Sequence, residues 1–197
     1  VLGRLSALSG LAFVGCFAAA AALYGSGAGS RPAEIAAYYA DHGDRARQIA
    51  GFAVLLAGCV LLLVYVGRLC RSTRAGFAVL GSGIAAAALL ALANALWAAS
   101  AFTVVLESGY RIAPRTHLLI EDAGFATLVS AAALAIPFVV GTSVGAVRAG
   151  GFPRWFVPLG ALAALGLAAA YWYVPLAAFL LWIACGSVLL ALEDSAG

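Results

Sequence analysis

Charge is scarce in this chain. Asp, Glu and Arg together make up 10% of its 197 residues, with no Lys at all, where a soluble domain carries about a quarter charged residues. An ordinary soluble fold is thereby excluded. The missing Lys, with abundant Ala and Gly, indicates a GC-rich coding genome and so a bacterium. Paired cysteines are also missing. Cys16, Cys59 and Cys185 fall in apolar runs and Cys70 in an Arg-rich connector, which excludes a disulfide or zinc framework and makes them small buried side chains. No phosphate-binding loop, dinucleotide fingerprint or strand-borne nucleophile elbow occurs, so nucleotide-driven transport and serine hydrolysis lose their usual signatures. No helix carries a continuous polar stripe, which disfavours a channel within one protomer.

What the chain has instead is apolar length: 65% of its residues are hydrophobic and the mean hydropathy is +1.06. Apolar runs at about 5–24, 49–67, 76–105, 117–146, 156–173 and 175–192 each approach the roughly 20 residues a helix needs to cross a bilayer. They lack the alternation of barrel strands, and a lipid-exposed backbone must satisfy its own hydrogen bonds. The expected fold is an all-α membrane protein, a six-transmembrane-helix bundle forming one domain over 1–197. Runs three and four exceed the hydrocarbon and should tilt or project, and Pro137 should kink the fourth. Tyr171, Trp172 and Tyr173 before Pro175 predict a tight interfacial turn. Arg4 before the first run and small residues after it are reminiscent of a signal peptide, but the run reads as a retained helix.

Arginine placement sets the expected orientation. With a cytoplasmic N-terminus, six arginines (Arg4, Arg68, Arg71, Arg74, Arg148 and Arg154) lie inside with Glu193 and Asp194. Five arginines and six acids then lie outside. The dense Arg68–Arg74 connector is where the positive-inside rule acts most strongly, which predicts a bacterial inner-membrane protein with both termini cytoplasmic. The formal charge of +3 is a by-product of this sorting and no sign of nucleic-acid binding.

The first outer loop carries helix signals: Arg31, Pro32 and Glu34 for a start and Gly43 for a stop. Ile35, Tyr38 and Tyr39 between them predict a short amphipathic outer-loop helix, a lid over the bundle. Ala50-Gly51-Phe52-Ala53 opens run two and Ala123-Gly124-Phe125-Ala126 opens run four, a faint echo of repeated hairpins. Gly141 and Gly145 suit close helix contact, either within the bundle or at a dimer seam.

Several of these segments, namely Tyr38 to Arg45, Asp122 at the mouth of run four, and Phe152-Pro153-Arg154-Trp155, together resemble a broad group of uncharacterised multi-pass integral membrane proteins of GC-rich bacteria. The resemblance implies the topology and brings no activity or catalytic residues.

Polar groups at membrane depth are costly and therefore informative. Asp41, His42, Asp44, Glu107, His117, Glu121 and Asp122 gather at the outer ends of the runs, with Tyr24, Tyr38, Tyr39, Tyr110, Tyr171, Trp172 and Tyr173 at similar depth. His117 and Glu121 share a helix face, while Asp122 points about 100° from Glu121, so one of the two acids can face the interior. A carboxyl in an apolar cavity holds its proton more tightly than in water, and aromatic walls stabilise a cation. These are the ingredients of acid-base cyclisation or isomerisation of a lipophilic substrate. In that reading Asp122 or Glu121 donates the proton, His117 tunes it, and Asn94, Trp97, Glu107, Tyr38, Tyr39, Tyr171 and Trp172 contact substrate, with no cofactor. His42 and His117 match no dedicated metal motif. The structural alternative makes Asn94 an interhelical hydrogen bond, Trp97 packing, and Asp41, Asp44, Arg45 and Arg47 surface ion pairs. The competing class is non-enzymatic: a lipid-binding, regulatory or assembly subunit that contacts membrane lipid, a second copy or another membrane protein through small-residue faces.

Overall fold

The computed structural model describes residues 2–25, 27–107, 111–170 and 176–196. Among them are seven helices and no strand: α1 (Leu2–Tyr24), α2 (Pro32–Ala40), α3 (His42–Ser72), α4 (Phe77–Leu106), α5 (Pro114–Arg148), α6 (Phe156–Ala168) and α7 (Leu176–Ala196). Five of them, α1, α3, α4, α5 and α7, are long and apolar enough to cross a membrane, and bulky apolar side chains such as Val60, Leu165 and Leu181 face outward, as lipid-facing residues do. The fifth expected span holds a helix shorter than its apolar run: α6 has 13 residues, roughly 20 Å of helix against a hydrocarbon core of about 30 Å. The backbone leaves the helical region at Ala169 (φ −98°, ψ 20°), so the apolar run outlasts the helix. The turn expected at Tyr171 to Pro175 lies outside the described residues. Pro137 sits inside α5, which continues through it to Arg148.

Apart from α2, each helix packs on its neighbours in sequence, α1 on α3, α3 on α4, α4 on α5, α5 on α6 and α6 on α7, and α1 closes on α7. The result is a ring of six helices in chain order, with α2 lying across one end against α3 and α5. The opposite end is filled with rings. Trp182 is fully buried, stacked on Phe156 and Phe179 and edge-on to Tyr65 and Phe138, and its indole N–H donates to Ser143 Oγ at 3.0 Å. Glycines make room for this plug: a Cβ at Gly186 would stand 2.3 Å from Tyr65 Oη, and one at Gly160 2.1 Å from Ser143 Oγ. Gly141 and Gly145 face Val79 and Thr73 of the same chain, so their close contact lies within the ring.

The outer-loop helix is present as α2, with Ile35 and Tyr39 buried on one face. It opens with Pro32, and the Glu34 carboxylate accepts the Arg31 N–H at 3.3 Å. The expected stop at Gly43 is corrected. Asp41 is extended (φ −73°, ψ 128°) and ends α2, while its carboxylate accepts the Asp44 N–H at 2.9 Å and starts α3 at once, placing Gly43 in the first turn of α3. The Arg45 guanidinium donates to the carbonyls of Tyr39 and Ala40, satisfying the end of α2 where a cation is favoured.

Two outcomes follow for stability. Gly186→Ala is expected to cost about 1–3 kcal/mol, read as a lower melting temperature, because Tyr65 is fully buried and has nowhere to go. Gly15→Ala meets nothing within 4 Å and is expected to leave stability unchanged or improved. The Asp44 N–H holds the Asp41 carboxyl below its usual range. The contribution of this cap is therefore present above the unfolded carboxyl pKa, roughly 4, and lost as pH falls through the lowered folded value. Asp41→Asn keeps an N-cap and should flatten that acid limb in thermal melts taken from pH 6 to pH 3.

Candidate functional site

At the α2 end the ring is hollow. A cleft of about 530 Å³ is lined by Phe17, Ala21 and Tyr24 of α1, Leu55 of α3, Leu90 and Trp97 of α4, Leu128 of α5, and Leu176, Ala177 and Leu180 of α7. A narrower hollow of about 50 Å³ shares Phe17, Leu90, Leu128, Leu176 and Leu180 and reaches further along the ring to Phe13, Leu62 and Leu167. The volume suits a small lipophile, since pockets for such ligands span roughly 300–1,000 Å³. Its walls offer apolar surface almost throughout, and no titratable acid or base lines it except the Tyr24 phenol.

Two of the three aromatic rings in the wall, Tyr24 and Trp97, rest on glycines of the two Ala-Gly-Phe-Ala segments. The Tyr24 ring lies against Gly51, where a Cβ would be 3.4 Å from Tyr24 Cζ. Trp97 lies against Gly124, where a Cβ would be 2.7 Å from the indole Nε1. The sequence echo thus marks equivalent seats: in each hairpin, the second helix carries in its first half a glycine that receives a ring from the first.

Asn94 does not line the cleft. It is fully buried, accepts from Tyr24 Oη and donates from Nδ2 to the Phe52 carbonyl at 3.0 Å, tying α1, α3 and α4 together. It is not the only amide at depth. Gln48, one residue before the expected second span, is 5% exposed and donates to the Trp97 carbonyl at 2.7 Å, because α3 starts six residues before it at His42.

The titratable residues assemble beside the cleft and under α2. His117 is 1% exposed. Its Nδ1 faces Ser100 Oγ at 3.1 Å and Tyr39 Oη at 3.5 Å, and the Tyr39 ring meets the imidazole edge-on at 5.1 Å between centroids. Its Nε2 lies 3.4 Å from Glu121 Oε1 without hydrogen-bond geometry. Glu121 is half-buried, while Asp122 is exposed, so Glu121 is the acid nearer the ring. Tyr38 packs edge-on to Tyr39 and lines two smaller hollows with Asp44. Glu107 is exposed at the C-terminal cap of α4.

His42 is exposed and Arg45 Nη2 donates to its Nδ1 at 3.0 Å, and Arg47 pairs with Asp44. Among the described residues no group of three or more His, Cys, Asp or Glu is placed to hold a metal ion. Tyr110, Tyr171, Trp172 and Tyr173 lie outside the described residues. Gly141, Ser143 and Gly145 spell the letters of a nucleophile elbow, but they stand inside α5 with Ser143 bonded to Trp182. An elbow needs a strand-to-helix turn.

No protein-family model, curated protein or solved structure matches the chain. The resemblance to multi-pass bacterial proteins therefore rests on its short motifs. Of the residues expected to touch a ligand, the structure brings Trp97 to the cleft and uses Asn94 to hold the wall. It gathers His117, Glu121, Tyr39 and Ser100 into a separate polar clamp. Phe17, Leu55, Leu90, Leu128 and Leu180 were invisible to sequence reasoning, because an apolar residue in an apolar run carries no mark of which way it faces.

Burial pushes the Tyr39 phenol up to about 12, and Tyr38 is raised by burial and by Asp44. The Tyr39 contribution to folding is therefore present below the ordinary tyrosine value of roughly 10 and is lost as pH rises towards 12. In alkaline unfolding followed by circular dichroism, Tyr39→Phe should lose less stability between pH 10 and pH 12 than the wild type.

Proposed function

We propose that this chain is a membrane protein that binds the hydrocarbon part of a lipid or other lipophilic small molecule in the cleft between α1, α4, α5 and α7. The cleft's own composition carries the reading: about 530 Å³ walled by aliphatic and aromatic side chains, a surface that offers an occupant dispersion and desolvation and almost no hydrogen bonds. Binding then serves a non-enzymatic role, as a lipid-binding, regulatory or assembly subunit.

The setting we propose is a bacterial cytoplasmic membrane crossed six times. Chain direction supports the count. The α5 helix runs from His117 under α2 to Arg148 at the opposite end, whereas Leu176 at the start of α7 lines the cleft at the α2 end, so the segment holding α6 carries the chain back. An even count puts both termini on one side, and the Arg68–Arg74 connector argues that this side is cytoplasmic.

A membrane-embedded cyclase or isomerase is the second reading. The short approach of His117 Nε2 to Glu121 Oε1 favours it, since a histidine beside a carboxyl is a common acid-base arrangement. Such chemistry requires the reacting atom of the ligand to rise out of the cleft towards the clamp under α2.

The test is mass spectrometry of small molecules extracted from the purified full-length chain, repeated for Leu90→Trp, which fills the cleft, and for Glu121→Gln. We expect a lipophile bound near one per protein, lost in Leu90→Trp with the helical content preserved, and retained in Glu121→Gln. A chain that carries no lipophile, or a Leu90→Trp variant that carries as much as the wild type, overturns the binding reading. Conversion of the recovered lipophile by the wild type, absent in Glu121→Gln, would establish the catalytic one.

A further inference from the structure

The end of the ring opposite α2 carries a second hollow, on its outside. It has a volume of about 580 Å³ and lies between the start of α4 and the end of α5. Its lower wall is apolar, built from Val79, Val140 and Val144 around Gly141 and Gly145, and its rim holds Arg74 and Arg148. Both arginines are exposed, and no acid lines the groove. Glu193 at this end does not line the groove: Ser72 Oγ donates to it at 3.0 Å, and it packs by Gly151. The first turn of α4 also opens here. Gly76 is its N-cap in extended conformation, no side chain caps it, and its free N–H groups favour an anion.

Depth separates the two chemistries in this groove. The valines sit on the outward surface, Val140 being 44% exposed, and Phe77 at the start of α4 projects beside them at 92% exposure. Such side chains face hydrocarbon in a membrane. The guanidiniums mark the level of headgroups, where Arg binds phosphate oxygens through paired N–H donors. Basic pockets between membrane helices are where anionic headgroups dock.

We propose that this groove binds an anionic phospholipid, its phosphate between Arg74 and Arg148 and one acyl chain along Val79, Val140 and Val144. The apolar wall directly below the cations selects a lipid over a free phosphate. The lack of an acid in the lining selects an anionic headgroup over a zwitterionic one, whose ammonium would have no partner. The site is separate from the cleft and stands whether or not the cleft binds a lipophile.

The experiment titrates the purified full-length chain in detergent with dioleoyl phosphatidylglycerol, and in parallel with dioleoyl phosphatidylcholine, reading bound lipid by native mass spectrometry. The variants are Arg74→Gln with Arg148→Gln, Val140→Trp, which fills the wall and leaves the cations alone, and Arg154→Gln, an arginine outside the groove. We expect phosphatidylglycerol to bind more tightly than phosphatidylcholine. The double variant should weaken it roughly 25-fold, at about fivefold per arginine, Val140→Trp should weaken it as well, and Arg154→Gln should leave it within about twofold. Equal binding of the two lipids overturns the proposal. So does an Arg154→Gln loss as large as that of the double variant, which would reveal only a diffuse surface potential. Displacement of the lipid by millimolar inorganic phosphate, with Val140→Trp silent, would reveal a free-anion site instead and overturn the lipid assignment. Melting temperatures verify folding, and if any variant unfolds, the wild-type lipid preference and the phosphate competition decide.

Discussion

A ring of helices keeps a hollow at one end only if something holds the other end shut, and here that is the packing of Trp182. In lipid there is no hydrophobic force between helices, since the tails are as apolar as the side chains, so association rests on close contact and a few hydrogen bonds. Trp182 supplies both, with two stacked rings, two edge-on rings and one bond to Ser143. Glycines at 160 and 186 let the neighbouring backbones come near enough for this to happen. At the α2 end large residues still line the walls, but they do not meet in the middle, and the space between them is the cleft.

The polar residues of the α2 end do a different job from the one their depth suggests. Asn94 and Gln48 bind backbone carbonyls and Tyr24, fixing the helices whose side chains form the wall. His117, Ser100 and Tyr39 hold α2 down on α4 and α5. Such bonds between membrane helices contribute about 0.6 kcal/mol on average, so a network of them is needed to keep a small helix seated. Glu121 is the exception. It lies 3.4 Å from His117 Nε2 without completing a hydrogen bond.

Composition and run length made the helical class and five of the long helices legible, because a bilayer-sized apolar run has few other uses. They overstated the length of α6, where apolar residues continue past the helix end, and missed the joint between α2 and α3. There, one aspartate closes a helix and opens the next, so Gly43 had nothing to terminate. The site was legible in part. Trp97, Tyr24 and the paired Ala-Gly-Phe-Ala segments left marks in the sequence; Leu90, Leu128 and Leu180 did not, since facing inward is a property of the assembled ring. His117 with Glu121 was legible from their spacing of four. Ser100 of the neighbouring α4 and Tyr39 of the distant α2 joined them only through contacts between helices.

The order of helices around the ring has a consequence for biogenesis. Because neighbours in space are neighbours in sequence, each new hairpin can dock on the one already inserted while synthesis continues, and local contacts of this kind form quickly. The seam between α1 and α7, and the packing of Trp182 against Tyr65, Phe138 and Ser143, must wait for α7. Until then the nascent assembly is an open crescent whose interior is accessible sideways from the bilayer, and a lipid present at that moment would be enclosed by closure without having to thread through the finished wall.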